Sequence, residues 1–424
     1  MRILVIYQYY LMPGMPGGSR YNEFARMWSE AGHDVTVVTG NLDYSSGTVP
    51  ERYRGRGVVE EWDGPVRVIR CPVPASYGTG YAGRAYAYLG FNVTAAIGVL
   101  RAVRPDVVIA SSPPLLTAIT GFLASRARWR RIPWVFEVRD LWPESAVTTG
   151  VLSQESPVTK ALYVLERAAC ASADAISVLT PAFRSDIVER GLATSDKIHI
   201  LPNGADLELF QPASLDQPIR RELGWDDRFV VMYAGAHGRA NALTQLIEAA
   251  ELLRNRSDIL IACVGDGSLR EELIDDVRRR GLKNIAFYGS FPKSRMPEIV
   301  NASNVGAAVL QNNPTFRTVY PNKVFDYMAC NRPVLLAIDG VIRELVCDEA
   351  RAGLFAEPEN PDALASVILE LADDAELREE LGARGRAFIK DRLSRHAVAE
   401  DYLRVLEGVA GRPASASSKM AKPA

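Results

Sequence analysis

The sequence predicts an α/β protein of two Rossmann-like domains, each a doubly wound parallel sheet, facing each other across a cleft. Three observations predict it. Short, wholly apolar runs alternate with helical patterns, as strands covered on both faces require. The alternation breaks at a Pro-Asn-Gly turn and then starts again. The length, 424 residues, exceeds what one core usually supports.

The first set of strands is read at Ile3–Tyr7, Val35–Thr39, Val66–Ile69, Val107–Ser111, Trp134–Val138, Ala175–Leu179 and Ile198–Leu201. Helical patterns between them include Tyr21–Ala31, Asn92–Val103 and Ser156–Ala171. The turn lies in "LPNGADLELFQP", Leu201–Pro212. Strands resume at Phe229–Ala234, Ile259–Val264, Ile285–Tyr288, Val305–Leu310 and Val334–Ala337, with helices at Ala242–Leu253, Leu269–Arg280 and Pro297–Ala302. Helical patterns at Pro361–Ala372, Ala375–Ile389 and Arg395–Val409 follow. The expected domains are 1–205 and 206–390, with a last helix over 391–410 packing back on the first. The Pro/Ala/Ser-rich stretch 411–424 reads as disordered.

Composition narrows the function. A net charge of −2 gives no reason to expect nucleic acid as a partner. The five cysteines are scattered without a C-x-x-C, and the four histidines are dispersed, so neither disulfides nor a metal site is expected. "MRILVIYQYY" is a buried first strand rather than a signal peptide, and the apolar run Leu115–Ala124 is too short to span a bilayer. A cytoplasmic protein follows as the expectation.

In open α/β sheets ligands bind at the carboxyl ends of the strands, so the loops there carry the candidates. "YLMPGMPGGSRYNEF" places Gly17, Gly18 and Ser19 before a helix, where backbone N–H groups attract anions. It is not a dinucleotide fingerprint, because G-x-G-x-x-G is absent. "FEVRDLWPE" sets Arg139 and Asp140 at a strand end, either for chemistry or as a surface ion pair. "YAGAHGRANALTQLIEAA" repeats the glycine loop with Gly238 and Arg239. "VGDGSLREEL" adds Gly265 and Asp266, the latter a ligand contact or a helix cap.

"YPNKVFDYMACNRPVLL" holds a short apolar helix with one carboxylate, Asp326, three residues after Lys323. A solvated i,i+3 ion pair is the bland reading. The functional reading has Asn322 as N-cap, Lys323 and Arg317 as cations for phosphate, and Asp326 accepting hydrogen bonds from a ribose diol. Thr318 and Tyr320 flank this helix on the donor side.

These stretches, with "PGGSRYNEFAR", "GHDVTVVTG", "ASSPPLLTA", "ILPNGAD" and "AGLFAEPENPDALASVI", resemble the retaining glycosyltransferases of family 4 over residues 1–408. The likeness is to bacterial enzymes similar to the L-fucosamine transferase of O-antigen and capsule assembly. It implies the GT-B fold and transfer of a sugar, with retention, from a nucleotide-sugar donor, UDP-linked, to a hydroxyl of a glycan or polyprenyl-diphosphate-linked acceptor. It implies no metal and no cofactor, with Arg139, Asp140, Arg239 and Lys323 in catalytic roles. Asp326 stands where the family has the second of two glutamates, and Thr318 stands in place of the first. Ala236 and Asn241 replace a basic pair, and Arg139-Asp140 replaces a His-Asp pair. The Tyr/Gly-rich stretch Tyr77–Phe91 and the arginines of Arg126–Arg131 could rest peripherally on an anionic membrane, or form a loop and a solvated helix end. The alternatives are a nucleotide-binding relative without turnover and a GT-B sugar-nucleotide 2-epimerase.

Overall fold

The computed structural model describes residues 1–12, 15, 20–44, 46–76, 80–126, 131–148, 150–215 and 218–411. The chain divides into two compact units, one of Met1–Leu201 with the chain from Ala399, the other of Pro202–Val398. The expected boundary at 205/206 thus moves to 201/202.

The first unit carries β1 (Arg2–Ile6), β2 (Asp34–Gly40), β3 (Val59–Asp63), β4 (Val66–Cys71), β5 (Val107–Ser112), β6 (Trp134–Val138), β7 (Ala175–Val178) and β8 (Ile198–Ile200). Their order is β3-β4-β2-β1-β5-β6-β7-β8, parallel except for the β3–β4 hairpin. The crossover direction reverses at β1, between β2 and β5, which is the switch point of a doubly wound sheet.

Strand alternation sorts side chains to two faces. Ala110 and Trp134 face the helix α3 (Thr117–Arg126), where Gly121 comes so close that a Cβ would stand 2.5 Å from the Ala110 methyl. Ser111 and Glu137 face the other way, toward α1 (Arg20–Glu30). Glu137 is fully buried, so its charge must be met. The Tyr21 hydroxyl and Ser111 Oγ each donate to its Oε2 at 2.6 Å, and Arg20 pairs with Oε1 at 3.2 Å. The helix Arg395–Val409 belongs to this unit from Ala399 onward. There Ala399 O accepts from Trp28 Nε1 at 2.9 Å, and Tyr402 lies 3.1 Å from Ser177 Oγ.

Two expectations are corrected here. Tyr77–Phe91 is not a loop from Gly80 on; it is the first half of α2 (Gly80–Arg101), which the sequence pattern starts only at Asn92. Glycine and tyrosine are weak helix formers, and burial of Ala87 and Phe91 overrides them. β3 is an added edge strand whose "VEEWD" carries too little apolar character to be read.

The second unit holds β9 (Phe229–Ala234), β10 (Ile259–Val264), β11 (Ile285–Tyr288), β12 (Val305–Val309), β13 (Val334–Ala337) and β14 (Gly353–Phe355). All are parallel, in the order β11-β10-β9-β12-β13-β14, so β9 is the switch strand. The three-residue β14 is too short to be read from sequence. The Pro-Asn-Gly turn is strapped to this unit. Ala205 N donates to Leu393 O at 2.8 Å, and Gly204 at φ +68° lies 3.0 Å from the chain at Arg395. Among the described residues no helix is long and apolar enough to cross a membrane.

Candidate functional site

The best-built candidate lies at the carboxyl end of β9. The helix Asn322–Ala329 is pinned there by Tyr327. The Tyr327 hydroxyl accepts from Ala234 N at 2.8 Å and donates to Ala307 O at 3.3 Å. Its ring takes the space a side chain at Gly306 would need. This fixes the first turn of the helix, and with it Lys323, over the end of β9.

Lys323 does not make the i,i+3 pair with Asp326. Its ammonium stands 3.7 Å from the centre of the Tyr233 ring, a cation–π contact. Gly235 makes the room, since a Cβ there would lie 2.7 Å from Lys323 Nζ. Among the described residues Lys323 has no ion-pair partner. Burial pushes its pKa down to about 7. Cys263 beneath stays a thiol, because burial raises it to about 12. An anion arriving at this amine would draw a proton onto it and, among the described residues, would meet no carboxylate already paired there.

The two glycine loops of this unit are zipped together. Gly235 N donates to Val264 O at 2.9 Å, and His237 N to Asp266 O at 2.9 Å. A Cβ at Gly265, where φ is +134°, would stand 2.0 Å from Gly235 O, and one at Gly267 would stand 2.5 Å from His237 O. Only glycine permits this approach. His237 is fully buried, edge-on to Phe287 at 5.4 Å, and burial lowers its pKa, so its imidazole stays neutral.

Asp266 is exposed and its Oδ1 accepts from Gly267 N at 2.7 Å, so it shapes the loop. It does not cap the following helix, whose N-cap is Leu269. Gly238 and Arg239 do not open the next helix either. Arg239 begins a separate 3-10 turn, Ala242 turns left-handed, and the helix starts at Thr244. The Arg239 side chain is exposed on that turn.

Asn322 is the first helical residue and not the N-cap, which is Pro321. The amide is engaged otherwise: its Oδ1 accepts from Asn203 Nδ2 at 2.7 Å. Asp326 is half-buried one turn along the same helix. Arg317 turns away toward Asn312 Oδ1, at 3.0 Å, and toward Asp339, at 3.9 Å. The Thr318 hydroxyl donates to Thr315 O at 2.7 Å, and Tyr320 packs its ring against Phe325. Among the described residues no group of three His, Cys, Asp or Glu side chains could hold a metal.

In the first unit Arg139 and Asp140 do follow β6, but they do not pair. Arg139 Nη1 donates to the Tyr7 hydroxyl at 2.9 Å, and its backbone N to Ser112 O at 3.1 Å. Burial raises the Asp140 carboxyl, partly offset by hydrogen bonds from Ser145 and Leu141 N. Gly17, Gly18 and Ser19 lie outside the described residues.

Sequence reasoning missed Tyr233 and Glu137 as site-building residues, and read Gly235 only as part of its loop. A signal existed for Glu137 alone, a carboxylate inside the apolar run "WVFEV".

Comparison with known proteins now decides the family. Residues 17–204 match the family model described as "Glycosyl transferase 4-like domain", and residues 216–388 that described as "Glycosyl transferases group 1". The chain is a GT-B glycosyltransferase. This glycosyltransferase is 26% identical over 278 residues to "Probable glycosyltransferase WbjE" of Pseudomonas aeruginosa, covering 64% of this chain and 68% of that one. It is 24% identical to "Putative colanic acid biosynthesis glycosyl transferase WcaI" of Escherichia coli K12, covering 87% and 91%. Its fold matches that of HepE from Anabaena, solved in complex with UDP, with a TM-score of 0.68 at 18% identity, covering 96% of this chain and 100% of that one.

Proposed function

We propose that this glycosyltransferase moves a sugar from a UDP-sugar to a hydroxyl of a glycan or polyprenyl-diphosphate-linked acceptor, with retention, in cell-surface polysaccharide assembly. The carrying observation is the Lys323 ammonium on the Tyr233 ring at the switch strand, with no carboxylate paired to it among the described residues. A leaving nucleoside diphosphate develops negative charge on its β-phosphate. A fixed cation aimed there stabilises the transition state more than the ground state. Arg239, exposed on the adjoining turn, adds a second charge. Asp326, one helical turn from Lys323, accepts hydrogen bonds from the ribose diol. The proposal needs no metal, because the protein supplies the cations. Asp140 serves the acceptor side in the first unit, and Arg139, held by the Tyr7 hydroxyl, braces it. The UDP complex of HepE and the polysaccharide role in the name of WcaI support the donor and the pathway class.

Mass analysis together with proton NMR of the products, using the purified protein with a panel of UDP- and GDP-sugars and a polyprenyl-diphosphate-linked sugar, tests this. A glycosylated lipid with the donor's anomeric configuration, accompanied by free UDP, is expected. UDP binding without turnover for every donor would favour the non-catalytic alternative. An epimerised nucleotide-sugar without UDP release would favour the epimerase.

A further inference from the structure

On the surface of the second unit arginines are commonly met by acids. Arg254, Arg256, Arg278, Arg279, Arg280 and Arg295 each pair with a carboxylate. Four others, Arg220, Arg221, Arg228 and Arg378, line a cavity of about 770 Å³ and, among the described residues, pair with none. The cavity lies at the amino end of the sheet, where Phe229 opens β9 and Asn304 precedes β12. Backbone rather than charge fixes three of these side chains. Arg220, on the short helix Pro218–Glu222, donates to Asp226 O at 2.9 Å, to Arg228 O at 2.5 Å and to Ala302 O. Arg228 donates to Gly224 O. Arg378, on the helix Ala375–Arg392, donates to Leu371 O at 2.6 Å and Ala372 O at 3.1 Å, and lies 5.2 Å from the centre of the Phe229 ring. A carbonyl orients a guanidinium without cancelling its charge, and each guanidinium keeps N–H groups to spare. Asn304 is oriented too. Its Oδ1 accepts from Val230 N at 2.8 Å, which leaves Nδ2, without a hydrogen bond among the described residues, as a further donor.

The charge balance selects the ligand. Four arginines face two aspartates, Asp226 and Asp227, in the lining, which leaves two positive charges over. Both aspartates are exposed, and neither is paired with an arginine among the described residues. Asp374, near Arg378, is committed to capping its own helix, its Oδ1 accepting from Leu377 N at 2.8 Å. Two surplus charges suit a dianion. A phosphoryl group carries that charge on several acceptor oxygens, which guanidinium forks match, whereas a carboxylate carries half of it. The space exceeds one phosphate and falls within the size range of small-molecule sites, with Phe229 as an apolar wall. We infer that this cavity binds a small phosphorylated metabolite, its phosphoryl group held by Arg220, Arg228 and Arg378 and its body resting on Phe229 and Asn304. Lys323 stands at the other end of β9, a strand's length away, about 17–20 Å. The two sites are therefore separate, and the inference does not depend on the donor site.

Titration calorimetry tests it on the whole protein, with glucose 6-phosphate, inorganic phosphate and glucose as probes, each with and without saturating UDP. Glucose 6-phosphate should bind more tightly than inorganic phosphate, glucose should not bind, and UDP should change neither result. The double variant Arg228→Gln, Arg378→Gln should bind glucose 6-phosphate at least about tenfold more weakly, the worth of hydrogen bonds to a charged group. Arg221→Glu, at an exposed side chain with no hydrogen bond to lose among the described residues, should also weaken it and covers the case in which the double variant does not fold. Asp226→Asn with Asp227→Asn should tighten it. Absence of binding by both phosphorylated probes would overturn the inference, as would variants of unchanged affinity. Inorganic phosphate binding as tightly as glucose 6-phosphate would make the cavity a bare anion patch, and displacement by UDP would move the probe to the donor site; either result overturns it. Failure of UDP to bind, with glucose 6-phosphate binding intact, would bear on the donor site alone.

Discussion

Arg139 of the first unit and Lys323 of the second are both partly buried cations at the carboxyl end of a sheet, and the two are treated oppositely. Arg139 of the first unit is satisfied from within: it donates to the Tyr7 hydroxyl and lies beside that ring. Lys323 of the second has an aromatic floor and, among the described residues, no anion. Arginine remains charged whatever its surroundings, whereas a lysine yields its proton when burial costs more than its neighbours return. The first cation therefore braces its unit. The second is poised for a charge that comes from outside.

The largest test of that contrast is Lys323→Ala. Turnover should fall at least about 100-fold in steady-state assays while the thermal melt holds or rises, because the buried charge costs the fold stability. Equal rates would remove Lys323 from the chemistry. Next, Gly265→Ala should destabilise the second unit by about 1–3 kcal/mol, read as a lower melting temperature, because its Cβ has no space beside Gly235 O. A neutral result would mean the glycine loops are not rigidly joined.

Acidity sharpens the comparison. With the folded pKa of Lys323 at about 7, the free site is protonated below that pH and neutral above it. UDP-glucose, whose diphosphate does not titrate in this range, should bind with constant affinity below pH 7. Above it the affinity should weaken by up to about tenfold per pH unit, with proton uptake visible in calorimetry across buffers. The same shift acts on folding. The unfolded lysine, near 10.5, holds its proton longer, so this group's cost to stability is full below pH 7 and is relieved as pH rises toward 10.5. A flat affinity profile in the intact protein would place the diphosphate elsewhere.

Smaller effects follow. Asp326→Ala should weaken UDP-glucose binding about tenfold in titration calorimetry, the worth of hydrogen bonds to a charged acceptor. Loss of folding instead would make it a structural carboxylate. Tyr7→Phe should cost about 1 kcal/mol in denaturant unfolding and leave UDP-glucose affinity unaltered. A comparable loss of affinity would erase the distinction between the two cations.

Much of the fold was legible because buried parallel strands are written as uninterrupted apolar runs; β6, β9, β10, β11 and β13 keep the boundaries read from sequence. β3 and β14 were not legible, one being polar and the other three residues long. In the site, Lys323, Asp326 and the glycine loops were visible as residue types out of place in their surroundings. Their partners were not. Nothing local in the sequence distinguishes the Arg317 that turns to Asp339 from an arginine that meets phosphate.

The sequence by itself determined the two-sheet architecture, the strand-end loops and the short helix bearing a lysine and a carboxylate, because burial on both faces and backbone turns are local demands on composition. Only the tertiary structure decided that Lys323 rests on Tyr233, that Gly235 and Gly265 touch, and that Arg139 is already spoken for. Those are contacts between segments distant along the chain, and the balance of desolvation against partnering that sets each charge exists only once the segments meet.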